Sequence, residues 1–248
     1  MNILGVIPAR YGSTRFEGKP LALINGKMMI QRVYEQAKKA DKLAEVLVAT
    51  DDKRIYDAVT GFGGKAVMTS SHHKSGTDRC CEVIEKMNGR FGAVINIQGD
   101  EPYINPLEIN QIADIISENG TSLASLCRPI RECEEMTNRN AVKVVFDKNG
   151  KALYFSRYAI PFMRNEADER KWMEKRTYYK HLGIYAYKAD VLKEIAALPQ
   201  SGLEMAESLE QLRWLENGYT VKMGVTEFDS YSVDVPEDIL KIESIFKD

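Results

Sequence analysis

Residues 2–21 read "NILGVIPARYGSTRFEGKPL". The stretch starts apolar after Asn2 and has the look of a buried strand. At Arg10 the chain turns polar and enters a loop with Gly12, Gly18 and Pro20 among basic and hydroxyl side chains. Apolar runs of this kind recur at 45–50 "EVLVAT", 65–69 "KAVMT", 93–98 "AVINIQ" and 121–127 "TSLASLC". Helical patterns separate them. In "MIQRVYEQAKKA" (29–40), Ile30, Val33, Tyr34 and Ala37 share one face at i, i+3, i+4, i+7. Segment 52–63 begins at a capping Asp and ends at glycines, 77–87 follows, and 104–120 has Pro106 near its start and Gly120 after its end. Strand–helix alternation predicts an α/β fold, a mainly parallel central sheet flanked by helices. Right-handed crossovers align the strand C-termini along one edge, where open α/β sheets take ligands.

The second half changes character. Residues 140–157 hold two strand-like runs about Asp147-Lys148-Asn149-Gly150, which predicts an antiparallel hairpin. "ERKWMEKRTYYK" (169–180) reads as an exposed charged connector and "HLGIYAYK" (181–188) as a strand. "EMAESLEQLRWLENG" (204–218) reads as one helix with Leu209, Leu212 and Leu215 toward the core and Gly218 as its stop. "TVKMGVT" (220–226) is a further strand, and "VPEDILKIESIFK" (235–247) a helix opened by Pro236 and two acids.

The 248 residues suit a single α/β domain and can bury roughly 70–75 % of the unfolded surface. A net charge of −2 offers no footprint for nucleic acid or an anionic membrane, so an anionic ligand needs a local basic cluster. No apolar run reaches the roughly 18–20 residues that span a bilayer, and no signal peptide is recognisable. Cys80, Cys81, Cys127 and Cys133 read as reduced thiols of a cytosolic protein. His72 and His73 read as a solvated loop rather than metal ligands.

The loop after the first strand supplies the basic cluster. Arg10, Arg15 and Lys19 can converge with Ser13, Thr14 and the N–H groups of Gly12 and Gly18 into a polyphosphate cradle. It is not a Walker A loop, since Pro20 stands where Ser or Thr is needed. In "VINIQGDEP" (94–102) an apolar run stops at Gln98-Gly99-Asp100, placing a carboxylate at a strand end where it can reach a nucleotide-bound Mg²⁺. Asp234, after the β-rich "YSV", is a second candidate, and the two can share one metal if their strands adjoin. Asp51 and Asp52 read mainly as turn or cap residues. "HHKSGTDR" (72–79) reads as an N-capped helix start that can also hydrogen-bond a base.

Taken in order, "IPARYGSTRFEGKPL", "VATDD", "SGTDR", "INIQGDEP", "VKVVFD", "ALYFSRYAIPF", "YKHLGIYAY", "ESLEQLRWLENG" and "VDVPEDI" resemble the 3-deoxy-manno-octulosonate (Kdo) cytidylyltransferase family over nearly the whole chain. The resemblance implies a nucleotide-diphospho-sugar transferase (Rossmann-like) fold over residues 1–248. Within it, about 130–215 would form an antiparallel sugar-binding and dimerisation subregion. It implies the reaction CTP + Kdo → CMP-Kdo + pyrophosphate, with Mg²⁺ as cofactor, in a cytoplasmic homodimer serving lipopolysaccharide synthesis. By position, Lys19, Asp100 and Asp234 would be catalytic, with Asp100 and Asp234 as the metal ligands. Arg10, Ser13, Thr14, Arg15, Ser75, Gly76, Asp78, Arg79 and Gln98 would bind the nucleotide. Arg157, His181, Tyr185, Glu210 and Gln211 would bind the sugar. Glu17 stands where the family loop has proline, which loosens the loop and offsets part of its charge. The alternatives are a cytidylyltransferase for 8-amino-Kdo or sialic acid, and a non-catalytic nucleotide-binding protein on the same fold.

Overall fold

A computed structural model describes residues 1–12 and 15–246. In chain order, β1 (Ile3–Ala9) is followed by the two-residue strands β2 (Leu23–Ile24) and β3 (Lys27–Met28), α1 (Met29–Ala37), β4 (Glu45–Thr50), α2 (Lys53–Gly61) and β5 (Ala66–Met68). Next come α3 (Gly76–Lys86), β6 (Ala93–Asn96), α4 (Pro106–Ser117), β7 (Leu123–Pro129), α5 (Cys133–Thr137), β8 (Lys143–Phe146) and β9 (Ala152–Ser156). The chain continues through α6 (Trp172–Lys175), β10 (Tyr179–Lys188), α7 (Ala189–Ala196), α8 (Gly202–Glu207), α9 (Gln211–Glu216), β11 (Val221–Val225) and α10 (Pro236–Ile245).

The main sheet runs β11-β7-β10-β6-β1-β4-β5. All neighbours along it are parallel except β10, which lies antiparallel between β6 and β7. The strand ends therefore do not all share one sense at the ligand edge, because β10 brings its N-terminal half there. The β8–β9 hairpin forms as the Asn-Gly turn predicts and joins the sheet through β10. Each sheet face carries its own apolar core. Ile3 and Ile7 of β1 pack with α1 and α4 on one face, while Leu4 and Val6 pack with α3, α7 and α9 on the other.

Three expectations need correction. The segment 204–218 is two helices, because Ser208 takes a left-handed conformation (φ 52°) between α8 and α9. The break frees the Glu207 and Ser208 carbonyls, and the Arg157 guanidinium donates to both at 2.7 and 3.3 Å. The connector 169–180 is not simply exposed. Trp172 and Tyr178 are buried in a small core with Ile130 and Met136. The run before Asp234 forms no strand; residues 226–235 are irregular.

Candidate active site

Where β1 ends, Pro8 and Ala9 pass into Arg10, and these three residues line two adjoining cavities of about 260 and 210 Å³. Gln98 and Gly99, beyond the end of β6, line both as well. The two crossings lie so close that a Cβ on Gly99 would stand 2.7 Å from the Pro8 carbonyl oxygen, so only glycine fits before Asp100.

The smaller cavity gathers the cations of the basic loop around one carboxylate. Arg15, Lys19 and Asp100 line it with Arg10. The loop closes on itself through the Gly18 N–H donating to Tyr11 O at 2.9 Å. Gly18 is left-handed (φ 69°), and the turn delivers Lys19 inward. The Lys19 ammonium donates to Asp100 Oδ2 at 2.8 Å and to the Val233 carbonyl at 2.9 Å. Val233 N–H in turn donates to the Asp100 carbonyl at 2.9 Å. This backbone bond sets Asp234 beside Asp100 although 134 positions of chain separate them. Arg15 pairs with Asp234 at 3.1 Å. Ser13 and Thr14 lie outside the described residues.

Two acidic residues on neighbouring segments, each paired with a cation of the loop, offer oxygen donors of the kind Mg²⁺ takes from protein. The residues fit that ion.

The larger cavity mixes charged groups, Arg10, Lys74, Arg79 and Glu210, with neutral polar ones. Ser75 and Gly76 at the start of α3, Arg79 one turn later, Asn96, Tyr185 and Glu210 line it. Ser75 and Asp78 form a reciprocal capping box. Asp78 closes that box and lines a separate cavity of about 710 Å³ on the other side of Ser75. Arg79 is buried and donates to Thr69 Oγ1 at 2.7 Å and to Asp51 Oδ2 at 2.8 Å. Asp51 is thus an ion-pair partner of this site, while Asp52 caps α2 as expected. His73 also lines the cavity, its ring held by Glu82, so it is less solvated than its sequence suggests.

Of the residues assigned to the sugar, Tyr185 and Glu210 reach the cavity. Glu210 accepts from Thr77 Oγ1 at 2.6 Å, and burial raises its pKa from the ordinary value. Tyr185 stands edge-on to Trp214 at 5.0 Å. Gln98 donates to the Gly183 carbonyl, which the irregular register between His181 and Tyr185 presents to it. His181 lies behind Tyr185, ring centroids 5.2 Å apart, and Gln211 is buried at the start of α9. Arg157 is committed to the carbonyls of Arg139, Glu207 and Ser208 at the α8–α9 corner. The sequence reading passed over Asn96 and Glu101. Asn96 was visible as a polar residue ending an apolar run. Glu101 is buried beside Asp100, accepts from Ser230 Oγ at 2.7 Å, and burial pushes its pKa up to about 8.

His181 carries a pH signature. Ser125 Oγ gives its one proton to the Ile184 carbonyl at 2.7 Å, so it can only accept from His181 Nε2 at 2.8 Å. The ring is therefore the Nε2–H tautomer, and burial holds its pKa down to about 3. A depressed pKa stabilises the fold above the unfolded value near 6.5, and that stability is lost as pH falls from there toward 3. Wild type is expected to lose on the order of 1.4 kcal/mol per pH unit more than His181→Gln over this window. Urea unfolding at pH 7 and pH 5 checks it; parallel slopes would refute it.

Fold and edge together define the class: a nucleotidyltransferase of the nucleotide-diphospho-sugar transferase type. More narrowly, the chain belongs to the 3-deoxy-manno-octulosonate cytidylyltransferase family, its residues 4–227 matching the cytidylyltransferase profile. It is 54% identical over 250 residues to the 3-deoxy-manno-octulosonate cytidylyltransferase of Bacteroides thetaiotaomicron, covering 100% of this chain and 99% of that one. The 8-amino-3,8-dideoxy-manno-octulosonate cytidylyltransferase of Shewanella halifaxensis is 49% identical over 242 residues, 96% of each chain. The solved structure of CMP:2-keto-3-deoxy-manno-octonic acid synthetase complexed with CTP superposes with TM-score 0.91 at 44% identity, over 99% of this chain and 98% of that one.

Proposed function

We propose that this protein joins CTP to Kdo, giving CMP-Kdo and pyrophosphate for lipopolysaccharide synthesis in the cytoplasm, as a homodimer. The observation that carries this reading is the Val233–Asp100 backbone bond, which sets two acidic residues beside the basic loop, Asp100 paired with Lys19 and Asp234 with Arg15. Ser75, Gly76, Arg79 and Gln98 would receive the cytosine nucleoside, and Tyr185 and Glu210 the sugar acid. The cations Arg10, Arg15 and Lys19 would stabilise charge growing on the departing pyrophosphate. Asp100 and Asp234 would hold Mg²⁺, which when bound polarises the α-phosphate and acidifies the attacking hydroxyl. In-line attack needs the two substrates held together, and the adjoining cavities provide that proximity. The 1–248 unit would act as one nucleotidyltransferase domain, with residues 130–215 forming the sugar and dimer subregion. Leu153, Tyr158 and Phe162 expose apolar surface there, which supports its pairing with a second copy.

Pyrophosphate release tests the reading. It is expected only when CTP, Kdo and Mg²⁺ are present together, and not with UTP, ATP or sialic acid. The Shewanella relative makes 8-amino-Kdo the necessary competitor. Preference for that sugar would move the substrate and keep the chemistry. No release with any pair, from folded protein that binds CTP, would favour a non-catalytic role.

A further inference from the structure

Beneath the two carboxylates lies a small apolar cluster separate from both main cores. It consists of Ile24, Met29, Val233 and Ile242, with Phe16, Tyr103, Tyr231, Ile239 and Phe246 packed against them. Three of its members are chain neighbours of the residues that carry charge there. Phe16 belongs to the basic loop, Tyr103 follows Asp100 by three residues, and Val233 precedes Asp234. The remaining side is closed by α10. Phe246, just after that helix, stacks on Tyr103 with centroids 3.9 Å apart and planes 6° from parallel. It also meets Tyr231 edge-on at 5.1 Å. One ring thus touches the segment that carries Asp100 and the segment that carries Asp234.

Polar contacts fix the same closure. Asn25, in the turn between β2 and β3, donates from its backbone to Glu243 Oε1 and from its side chain to the Phe246 carbonyl, both at 2.7 Å. Asp238, in the first turn of α10, accepts from the N–H groups of Asp234 and Val235 at 3.0 and 3.1 Å. Residues 226–235 have no helix or strand of their own, so the ordering of Asp234 depends on such contacts.

We propose that Phe246 is a positioning residue, the wedge by which α10 holds the segment carrying Asp234 against the segment carrying Asp100, so that both can serve one divalent cation. This inference rests on the reading of Asp100 and Asp234 as metal ligands. Phe246 lines neither cavity, and it acts through Tyr103 and Tyr231. Outer contacts that orient metal-binding groups change metal affinity about 10- to 100-fold when removed.

The test is calorimetric titration of CTP into wild type and Phe246→Ala, with Mg²⁺ and with EDTA. In Phe246→Ala the Mg²⁺-dependent gain in CTP affinity is expected to fall about 10-fold or more. Affinity in EDTA should be unchanged, and the Mg²⁺ needed for half-maximal turnover should rise in parallel. Because the two main cores are untouched, thermal unfolding should move by only a few degrees. Phe246→Leu should restore part of the gain. If Phe246→Ala does not fold, Glu243→Gln, which weakens the contact to Asn25, should show the same displacement in smaller measure. Equal weakening with Mg²⁺ and with EDTA, or lower thermal stability with an unchanged Mg²⁺ response, would overturn the proposal. A wild type that binds CTP equally with and without Mg²⁺ would instead overturn the metal reading, and the proposal with it.

Discussion

Asp100→Asn is expected to lower turnover by about 10²-fold or more, with the protein still folded. The substitution keeps the side chain's shape and removes its charge. The Asp100 carbonyl still accepts from Val233 N–H, so the backbone that brings Asp234 close is preserved. What disappears is one of two anionic oxygen donors and the ionic partner of Lys19 at 2.8 Å. The Asp100 side chain is 29% exposed, so a large stability change is not expected. Steady-state rates at saturating CTP and Kdo, across a Mg²⁺ series, measure the effect. Near-normal turnover in a folded variant would remove Asp100 from the reaction.

Lys19→Ala should be nearly as damaging, with a different pattern. Its ammonium joins two segments, through Asp100 Oδ2 and the Val233 carbonyl, and lines the smaller cavity. Removing one group that stabilises developing charge costs about 10²–10³ in rate. Affinity for CTP should fall while affinity for CMP, which lacks the β- and γ-phosphates, changes little. Lys19→Arg keeps the charge on a longer, planar head, so it should recover binding better than rate. Equal losses for CTP and CMP would place Lys19 away from the outer phosphates. An unchanged affinity and rate with CTP would remove it from the site.

The parallel part of the sheet was legible because its strands are continuous apolar runs bounded by capped helices. The basic loop and Asp100 were legible because a strand end fixes where the following residues stand. The direction of β10 was not, since an apolar strand reads the same whichever way it runs. The break at Ser208 was hidden because the leucine spacing through 209–215 continues as in one helix. Its cause is partly remote, in the Arg157 guanidinium that takes up the freed carbonyls. The partner of Asp51 was equally remote, since Arg79 reaches it across 28 positions of chain. Asp234 lies beside Asp100 through one backbone bond, a relation that no local pattern encodes.

The position of β10 also bears on how the chain comes together as it is made. Among the described residues β7 pairs only with β10 and β11, both later in sequence. A nascent chain that stops before residue 179 can align β6-β1-β4-β5, but β7 has no neighbour and β6 keeps an open side. Such an edge invites pairing with other chains until it is covered. The middle of the sheet is therefore completed by a strand that leaves the ribosome some eighty residues after β6. Closure over that separation makes assembly slower than the local strand–helix units alone would require. Fragments cut between 130 and 178 should accordingly aggregate, where fragments that include β10 and β11 should not.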